Sequence, residues 1–557
     1  MQAHKYILAL AICLSFIQPS FGQELPERIR GTNPNYRQGD WISYGVTRYV
    51  NSVAVGQQYV YFGTTGGITR YDFFANEWDF PFTTSNGLPD NNITAVAYDV
   101  STGYLWAATR TAICYYHPTA ERWQNSFKDE IGIPRFDDVV SIGIGLNDVF
   151  FVTEGGRRFR GSKFGGAISA EISVGGSNGE VVWFGMRAYE RPPYPQYFMG
   201  QGYYFQQEGV VNDFRLRRGE VTSAVNDKWG KVWMGTWRFG AIQGDVRSEM
   251  LDIMPYGLYS PRVDAIAADE NGVWFGGRNT QVGESGLTYW DQRRNRWNYY
   301  ESQFNAELLS DEINRLVVSG DTLFCATRFG VSIFDMRRNQ WSRVTISHGL
   351  AHEFVWDVFA DGKYLWIGTE AGMNLLDMTS LRSDSLKMTH IAPEALNLVP
   401  IYDVEVLEKE VWAGTRHGLF VYEIERNEGH YVAEEKGPIG ESVYSISRNG
   451  DEMWFGGDGS VYGYNLRTGK WVDAPARNLN LPGPVLAIAA NRQAVWAGTE
   501  RGVYRFHRKN RDWRRFDTSD GLLDLEVNAI LLDGDYIWLG TPAGATAFFW
   551  NDPGRVD

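Results

Sequence analysis

Arginine recurs at one position of a repeated short motif. Four or five residues after the motif's aromatic residue, seven repeats carry arginine in a chain of formal net charge −14: Arg110, Arg187, Arg238, Arg278, Arg328, Arg416 and Arg501. An arginine side chain is a planar fork that grips a carboxylate, sulfate or phosphate through two hydrogen bonds. Trp237 and Phe329 could stack on sugar faces, and His417 follows Arg416. The pattern predicts that arginine side chains line one opening of the folded protein and concentrate anions there.

A second interpretation of these arginines is structural. Carboxylates stand just before several repeats, at Asp138, Glu220, Glu312 and Glu526. They could pair with the arginines between neighbouring repeats, each pair contributing at most ~1 kcal/mol if exposed. Both interpretations stay open at this point.

Charge also appears at a position that other repeats fill with small residues. Near the start of most repeats stands Ser or Ala, at Ser52, Ala95, Ser141, Ser223, Ala265, Ser445, Ala487 and Ala529. Three consecutive repeats carry Arg315, Asp357 and Asp403 instead. Small residues at one repeated position indicate crowding near the central axis of a repeat structure, and charges in such a place must be paired or hydrated. We expect an arginine bridged to two aspartates in a polar channel, with a cation site as the alternative.

A motif repeated twelve times must position these residues. It reads apolar-Trp-x-Gly-Thr-x-x-Gly-apolar, as in LWIGTEAGMNLLD from Leu365. Its aromatic residues are Tyr61, Trp106, Phe150, Trp183, Trp233, Trp274, Phe324, Trp366, Trp412, Trp454, Trp496 and Trp538, at spacings of 33 to 50 residues. A period of about 42 residues with four short strands indicates a β-propeller blade. The glycines suit turns with positive φ, and most tryptophans should fill the gaps between blades.

The predicted fold is all-β, a β-propeller of about twelve four-stranded blades. Twelve exceed the usual four to eight blades of one ring, so we expect two tandem propellers, at 40–305 and 306–550. A seven-plus-five division stays open beside six-plus-six. Residues 40–45 resemble a fourth strand without a blade before it, and the last repeat lacks one. We therefore expect the N-terminal strand to close the last blade and remove a sheet edge.

The N-terminal residues predict that the protein is exported. Residues 1–22 have a basic start, an apolar run and small residues before the predicted cleavage after Gly22, as in a signal peptide. Residues 23–39 would be a linker and 551–557 a tail. No transmembrane segment is apparent, which predicts a periplasmic, secreted or cell-surface protein. Cys114 and Cys325 should be buried free thiols.

The repeat resembles the two-component regulator propeller family. The match lies in the Leu-Trp-x-Gly-Thr-x-x-Gly-Leu pattern and in Gly-Leu steps such as SNGLPDNNI from Ser85, and it covers about residues 40–550. In that family such propellers are extracytoplasmic sensor regions of bacterial hybrid sensor kinases, and related propellers occur in surface proteins linked to secretion or polysaccharide handling. The resemblance implies an extracytoplasmic binding protein. This sequence has no kinase part, so we expect no signalling in cis.

Three classes of function remain. The acidic balance argues against nucleic acid as a partner, and the sequence indicates no cofactor and no metal site. The favoured function is non-catalytic binding of an anionic polysaccharide or other small ligand. The first alternative is a scaffold in an envelope complex, docking through a Tyr-rich segment at 189–205. The second is a glycosidase or lyase with two carboxylates in a cleft between propellers.

Overall fold

The computed structural model describes residues 36–166, 168–172, 181–185, 193–278, 285–383, 385–391, 394–432, 441–472, 481–552 and 555. The predicted signal peptide and Arg187 lie outside the described residues. Within them the fold is almost entirely antiparallel β-sheet, as predicted, with 48 strands in eleven sheets. Five 3-10 turns join strands, at Thr84–Asn86, Ser302–Phe304, Ile346–His348, Met378–Arg382 and Glu394–Leu396.

Sheets 1 to 4 follow one another between residues 50 and 254. Sheet 1 contains β2 (Val50–Val55), β3 (Tyr59–Thr64), β4 (Gly67–Asp72) and β5 (Glu77–Phe82). Sheet 2 contains β6 (Ile93–Asp99), β7 (Tyr104–Thr109), β8 (Ala112–His117) and β9 (Arg122–Phe127). Sheet 3 contains β10 (Val139–Ile144), β11 (Asp148–Thr153), β12 (Arg158–Ser162), β13 (Ile168–Glu171) and β14 (Val182–Gly185). Sheet 4 contains β15 (Phe198–Met199), β16 (Tyr203–Gln206), β17 (Val210–Asp213), β18 (Arg218–Asn226), β19 (Lys231–Trp237), β20 (Gly240–Asp245) and β21 (Met250–Met254).

Sheets 5 to 8 continue the repeat with four strands each. Sheet 5 contains β22 (Ala265–Ala268), β23 (Gly272–Gly276), β24 (Leu287–Asp291) and β25 (Arg296–Tyr300). Sheet 6 contains β26 (Ile313–Ser319), β27 (Thr322–Thr327), β28 (Gly330–Asp335) and β29 (Gln340–Val344). Sheet 7 contains β30 (Val355–Asp361), β31 (Tyr364–Thr369), β32 (Gly372–Asp377) and β33 (Met388–Ile391). Sheet 8 contains β34 (Ile401–Val406), β35 (Glu410–Thr415), β36 (Gly418–Glu423) and β37 (Glu428–Tyr431).

Sheets 9 to 11 complete the chain, and the last includes the N-terminal strand. Sheet 9 contains β38 (Val443–Asn449), β39 (Glu452–Gly457), β40 (Val461–Asn465) and β41 (Lys470–Val472). Sheet 10 contains β42 (Ala487–Ala490), β43 (Ala494–Thr499), β44 (Gly502–His507) and β45 (Asp512–Phe516). Sheet 11 contains β46 (Ala529–Asp533), β47 (Tyr536–Thr541), β48 (Gly544–Phe549) and β1 (Trp41–Tyr44). The predicted closure by residues 40–45 is confirmed, because β1 pairs with β48.

Among the residues that the structure describes, the Trp183 motif does not form a sheet of its own. Its strand, β14, pairs with the inner strand β10 of sheet 3, with Trp183 opposite Gly143. A Cβ at Gly143 would lie 2.9 Å from the Trp183 ring, so the glycine makes room for that ring. This residue therefore belongs to sheet 3 rather than to a separate blade.

The Thr-x-x-Gly part of the motif builds the turn between the second and third strands. The Thr327 hydroxyl donates to the Gly330 carbonyl at 2.8 Å, and six other sheets repeat this threonine bond, through Thr64, Thr236, Thr369, Thr415, Thr499 and Thr541. Gly330 has φ of 127°, and a Cβ there would meet the Val344 carbonyl at 2.2 Å. The threonine thus closes the turn and the glycine permits it.

The motif's aromatic residues pack between sheets. Trp106, Trp233, Trp274, Trp454 and Trp496 are fully buried, as the sequence predicted for most tryptophans. Each belongs to a core cluster that combines residues of adjacent sheets, which is how a large ring side chain fills a wedge-shaped gap. Cys114 and Cys325 are buried free thiols, as expected.

The inner strands of sheets 5 to 11 contact one another in a closed cycle. Each neighbours the next along the chain, and β22 also neighbours β46. We call these seven sheets the larger ring. In sheets 1 to 4, β2 lies between β6 and β18, and β6 neighbours β10. In place of the boundary near residue 305 expected from the sequence, we propose from these contacts that the rings divide before β22 and that β1 belongs to the larger ring.

Candidate ligand-binding cleft and channel

Four of the predicted arginines lie at one mouth of the larger ring. Because the first and second strands are antiparallel, each turn after the second strand lies beside the start of the inner strand. These turns carry Arg278, Arg328, Arg416 and Arg501 in sheets 5, 6, 8 and 10. The turns of sheets 7, 9 and 10 carry Glu370, Asp458 and Glu500. The mouth therefore has charges of both signs.

Two of these arginines face a carboxylate of the same sheet. Arg328 lies 3.5 Å from Glu312, with both side chains substantially exposed. Arg278 lies 3.6 Å from Asp264, which also accepts its backbone N–H at 2.7 Å. The interpretation that these arginines pair with carboxylates therefore holds for Arg328 and Arg278.

The other predicted carboxylates pair with bases outside the arginine set. Asp138 pairs with Lys128, Glu220 with Arg218, and Glu526 with Arg262. The Arg416 Nε donates to the His417 ring at 3.1 Å. Arg110 and Arg501 are exposed, and Arg110 lies in the field of Asp90.

Arg238 lies elsewhere, in a cleft of about 300 Å³ between sheet 4, the segment before β2, and sheet 5. We call this the four-arginine cleft. Its charged lining is Arg48, Arg215, Arg217, Arg238 and Glu301, and its aromatic lining includes Tyr203, Phe239, Tyr259 and Tyr299. Trp237 is 46% exposed and lies outside this lining, against Tyr49 with ring centroids 5.0 Å apart.

Arg238 reaches the cleft from a strained turn. The turn of sheet 4 reads Thr236-Trp237-Arg238-Phe239-Gly240, one residue longer than Thr-x-x-Gly, and Arg238 has φ of 107°. A side-chain-bearing residue in this region costs free energy, of order 1–3 kcal/mol. The backbone holds it there because the N–H groups of Arg238 and Gly240 both donate to the Arg48 carbonyl, at 3.1 and 2.9 Å. Such strain often marks a functional position.

A buried carboxylate fixes two of the other arginines. Glu301 is 4% exposed and accepts from Arg215 at 2.6 Å and from Arg217 at 3.1 Å. Arg217 is also bound by Asp213 and by the Tyr259 hydroxyl, each at 2.7 Å. Burial alone would lower the pKa of Arg217, but Tyr259, Asp213 and Glu301 outweigh it and raise that pKa. These contacts orient the guanidinium groups before any ligand arrives.

Aromatic rings also contact two of the arginines, Arg215 and Arg48. The Arg215 guanidinium carbon lies 3.7 Å from the centre of the Phe304 ring. Arg48 lies 4.2 Å from the centre of the Tyr259 ring and donates to the Tyr259 carbonyl at 2.6 Å. Four arginines outnumber two buried carboxylates, Glu301 in the lining and Asp213 behind it, so the cleft has an excess of positive charge. Low-dielectric walls focus such a field on the opening.

The charged residues of the larger ring's channel do meet. Arg315 Nε lies 3.1 Å from an Asp357 oxygen, and Asp403 contributes to the same electrostatic cluster. Asp357 and Asp403 are 2% and 4% exposed, whereas the Arg315 side chain is 46% exposed. Burial, and then the Asp403 charge, raise the pKa of Asp357, while burial raises the pKa of Asp403.

The aspartates also bond to the next sheet. The Val404 N–H donates to Asp357 at 2.8 Å, and the Ile446 N–H donates to Asp403 at 3.0 Å. The Ser52 hydroxyl accepts the Val96 N–H in the same way at 3.1 Å. Asp357 and Asp403 thus make the same inter-sheet hydrogen bond that Ser52 makes, and they also introduce negative charge into the channel.

The Tyr-rich segment is partly core. Tyr194 and Tyr197 are 5% and 6% exposed and pack on Phe205 inside sheet 4, while Phe198 and Tyr204 are 52% and 56% exposed. Residues 189–192 of the predicted docking segment lie outside the described residues.

Sequence analysis missed Arg48, Arg215 and Arg217. None of the three occupies the repeat position that drew attention to the other arginines. The only signal was local: FRLRR at 214–218 concentrates arginine beside an aromatic residue. Their convergence depends on how sheet 4 meets sheet 5, which no periodicity encodes.

Comparisons with known proteins support the fold. No family model and no curated protein matches the chain. Among solved structures, the chain is similar to PorZ, a surface component of the type-IX secretion system of Porphyromonas gingivalis, at 13% identity, with 92% of this chain and 87% of that one covered and a TM-score of 0.53. It also matches extracellular domains of two-component system proteins of B. thetaiotaomicron. For BT4673 the identity is 16%, the coverage 91% and 70%, and the TM-score 0.45; for BT3049 the values are 15%, 93% and 77%, and 0.43.

These findings define a propeller-type all-β protein. The described residues contain no helix long and apolar enough to cross a membrane.

Proposed function

We propose that this protein is an exported, non-catalytic binding protein that holds an anionic glycan in the four-arginine cleft. The observation that carries the proposal is the concave site itself, in which Arg48, Arg215, Arg217 and Arg238 meet aromatic side chains. Guanidinium groups suit carboxylate or sulfate groups, and aromatic faces suit sugar rings. Arg238 belongs to the set predicted from the sequence.

The geometry gives less support to a glycosidase in this cleft. Such an enzyme needs two carboxylates on either side of a scissile bond. Glu301 is the one carboxylate in the described lining, and its oxygens are bound by Arg215 and Arg217. A carboxylate held by two cations is a poor general acid. Binding without bond chemistry is therefore the proposal.

A thermal-shift experiment tests this function. The probe is hexagalacturonate, and the matched control is the fully methyl-esterified hexasaccharide, which has the same sugars without charge. We expect the acid to raise the melting temperature, since a ligand that prefers the native state stabilises it. The shift should shrink between about 50 and about 500 mM salt, because screening weakens ion pairing. An equal shift with both hexasaccharides, or none with a panel of carboxylated and sulfated glycans, would reject the proposal.

A scaffold role is the second candidate. Phe214 and Leu216 flank Arg215 and are 67% and 90% exposed, an apolar tip suited to a protein partner. The fold likeness to PorZ, described as a surface component of a secretion system, is in keeping with this role. Co-purification of an envelope protein that Phe214→Ser/Leu216→Ser abolishes, without any glycan affinity, would favour it.

A further inference from the structure

In four of the inner strands, the position just before the channel residue joins neighbouring sheets. It forms the bulge of the inner strand, and its polar side chain bonds to a backbone carbonyl of the next sheet. These bonds are Asn51 to Ile93 at 2.7 Å, Thr94 to Val139 at 2.6 Å, Thr222 to Val50 at 2.6 Å and Asn314 to Val355 at 2.7 Å. In these four sheets the side chain at this position therefore has a structural use, with which the residues of other sheets can be compared.

Three consecutive sheets of the larger ring depart from this use. Sheets 7, 8 and 9 place Trp356, Tyr402 and Tyr444 at the bulge. The three rings lie side by side, with centroids 5.4 Å apart between Trp356 and Tyr402 and 5.5 Å apart between Tyr402 and Tyr444. Phe354 extends the row, 4.6 Å from Trp356. We call these four residues the aromatic arc.

The arc is accessible at the channel mouth. All four side chains are only partly buried, although the adjacent residues Val355, Ile401 and Val443 are buried. Stacking four large rings at a half-exposed edge leaves apolar surface in contact with water, which core packing would avoid. The sheets that carry the arc overlap those in which Arg315, Asp357 and Asp403 replace small channel residues. Both departures thus fall on one side of one mouth.

Polar groups of alternating sign border the arc. The Trp356 indole N–H donates to Glu370 at 2.6 Å. Arg416 and Asp458 act on Tyr402 from the adjacent turns, and Asp458 also interacts with Tyr444. Carboxylates accept hydrogen bonds and guanidinium donates them, so together they suit hydroxyl groups. Their mixed charge gives no preference to an anion or a cation.

We propose that the aromatic arc is a second binding site, for an uncharged pyranose segment of a glycan. The apolar face of a sugar ring would stack on Trp356 and Tyr402, and its hydroxyls would bond to Glu370, Arg416 and Asp458. A row of rings spaced along the mouth fits successive residues of a chain better than a single sugar. This site is separate from the four-arginine cleft and is recognised by different chemistry.

Isothermal titration with uncharged oligosaccharides tests the site. The probes are cellohexaose, maltohexaose, mannohexaose and xylohexaose, with tetramethylammonium chloride as a cationic probe of an aromatic cage. We expect at least one hexasaccharide to bind, with an affinity unchanged between about 50 and about 500 mM salt because no net charge is paired. No binding by any of the four, or binding of tetramethylammonium alone, overturns the proposal.

Variants locate the site. Trp356→Ala and Tyr402→Ala should each weaken binding about tenfold, as expected for aromatic anchors. Two variants are used because Trp356→Ala also releases Glu370. The matched control is Tyr536→Ala, since Tyr536 is 41% exposed in the same ring but at the opposite mouth. Full binding in both arc variants overturns the assignment. Arg238→Ala should leave this binding intact, so the two sites succeed or fail independently.

Discussion

Trp41 in the first strand stacks on Phe548 in the last, with ring centroids 3.8 Å apart and planes 9° from parallel. The two residues are also direct partners in the β1–β48 register. This contact joins the chain ends and places a tryptophan that is 2% exposed in the core of sheet 11. The closure of the larger ring therefore depends on residues more than 500 positions apart.

Removal of this side chain should open the ring at one sheet. We expect Trp41→Ala to lower the free energy of unfolding by about 3–5 kcal/mol, the usual cost of deleting a large buried ring. Urea unfolding followed by circular dichroism measures it. The control is Trp229→Ala, since Trp229 is 47% exposed and should change stability by less than about 0.5 kcal/mol. Equal effects in the two variants would contradict ring closure by β1.

The channel cluster predicts that Arg315 becomes essential at high pH. Without its charge, Asp357 and Asp403 repel each other in a buried site, so Arg315→Ala should lose more melting temperature at pH 8 than at pH 5. The triple variant Arg315→Ala/Asp357→Ser/Asp403→Ser copies the serine found at Ser52 and should recover much of the loss. A loss for Arg315→Ala that does not depend on pH would refute this account.

Glu405 predicts a fall in stability between about pH 4.5 and 7. Burial, followed by the Asp403 charge, raises the pKa of Glu405 from 4.5 to about 7. Because the folded protein then holds a proton that the unfolded chain releases, the unfolding free energy decreases as pH rises through this window and levels off above it. Glu405→Gln should flatten that part of the curve, as measured by thermal melts at half-unit steps. A curve identical to that of the unmodified protein would disprove the shift.

Replacing Glu301 should lower the stability of the protein and raise its affinity for anions. Glu301→Gln leaves Arg215 and Arg217 without their buried partner, so the melting temperature should fall, as when one member of a buried pair is removed. The same change adds positive charge to the four-arginine cleft, so hexagalacturonate should bind more tightly. Glu307→Gln is the control, because its pair with Arg343 is about half exposed and contributes little. Weaker hexagalacturonate binding by Glu301→Gln would contradict the proposed electrostatics.

The repeat made most of the fold predictable. Each Thr-x-x-Gly turn has a local cause, since the Thr327 hydroxyl and the positive φ of Gly330 belong to the same four residues. The unpaired strand at residues 40–45 was equally visible, because the last repeat lacked one. Trp183 was wrongly predicted to begin a separate blade because its local sequence matches the motif. The strand with which it pairs, β10, is determined by tertiary packing.

The candidate sites were less predictable for the same reason. Arg238 was found because it follows the repeat, but Arg48, Arg217 and Glu301 come from three distant segments that meet only in the folded protein. The aromatic arc was overlooked because Trp356, Tyr402 and Tyr444 each look like an ordinary strand residue. Only the inter-sheet bonds made by Asn51 and Asn314 at that position reveal the departure.

The central claim is tested most directly by titrating hexagalacturonate into Arg238→Ala. We expect binding at least about tenfold weaker than in the unmodified protein, because a charge-assisted hydrogen bond contributes about 1.5–3 kcal/mol. Arg501→Ala, in a comparable exposed turn, should bind normally, and Arg328→Ala/Arg416→Ala tests the mouth arginines in the same assay. Full affinity in a folded Arg238→Ala protein would contradict binding in the four-arginine cleft.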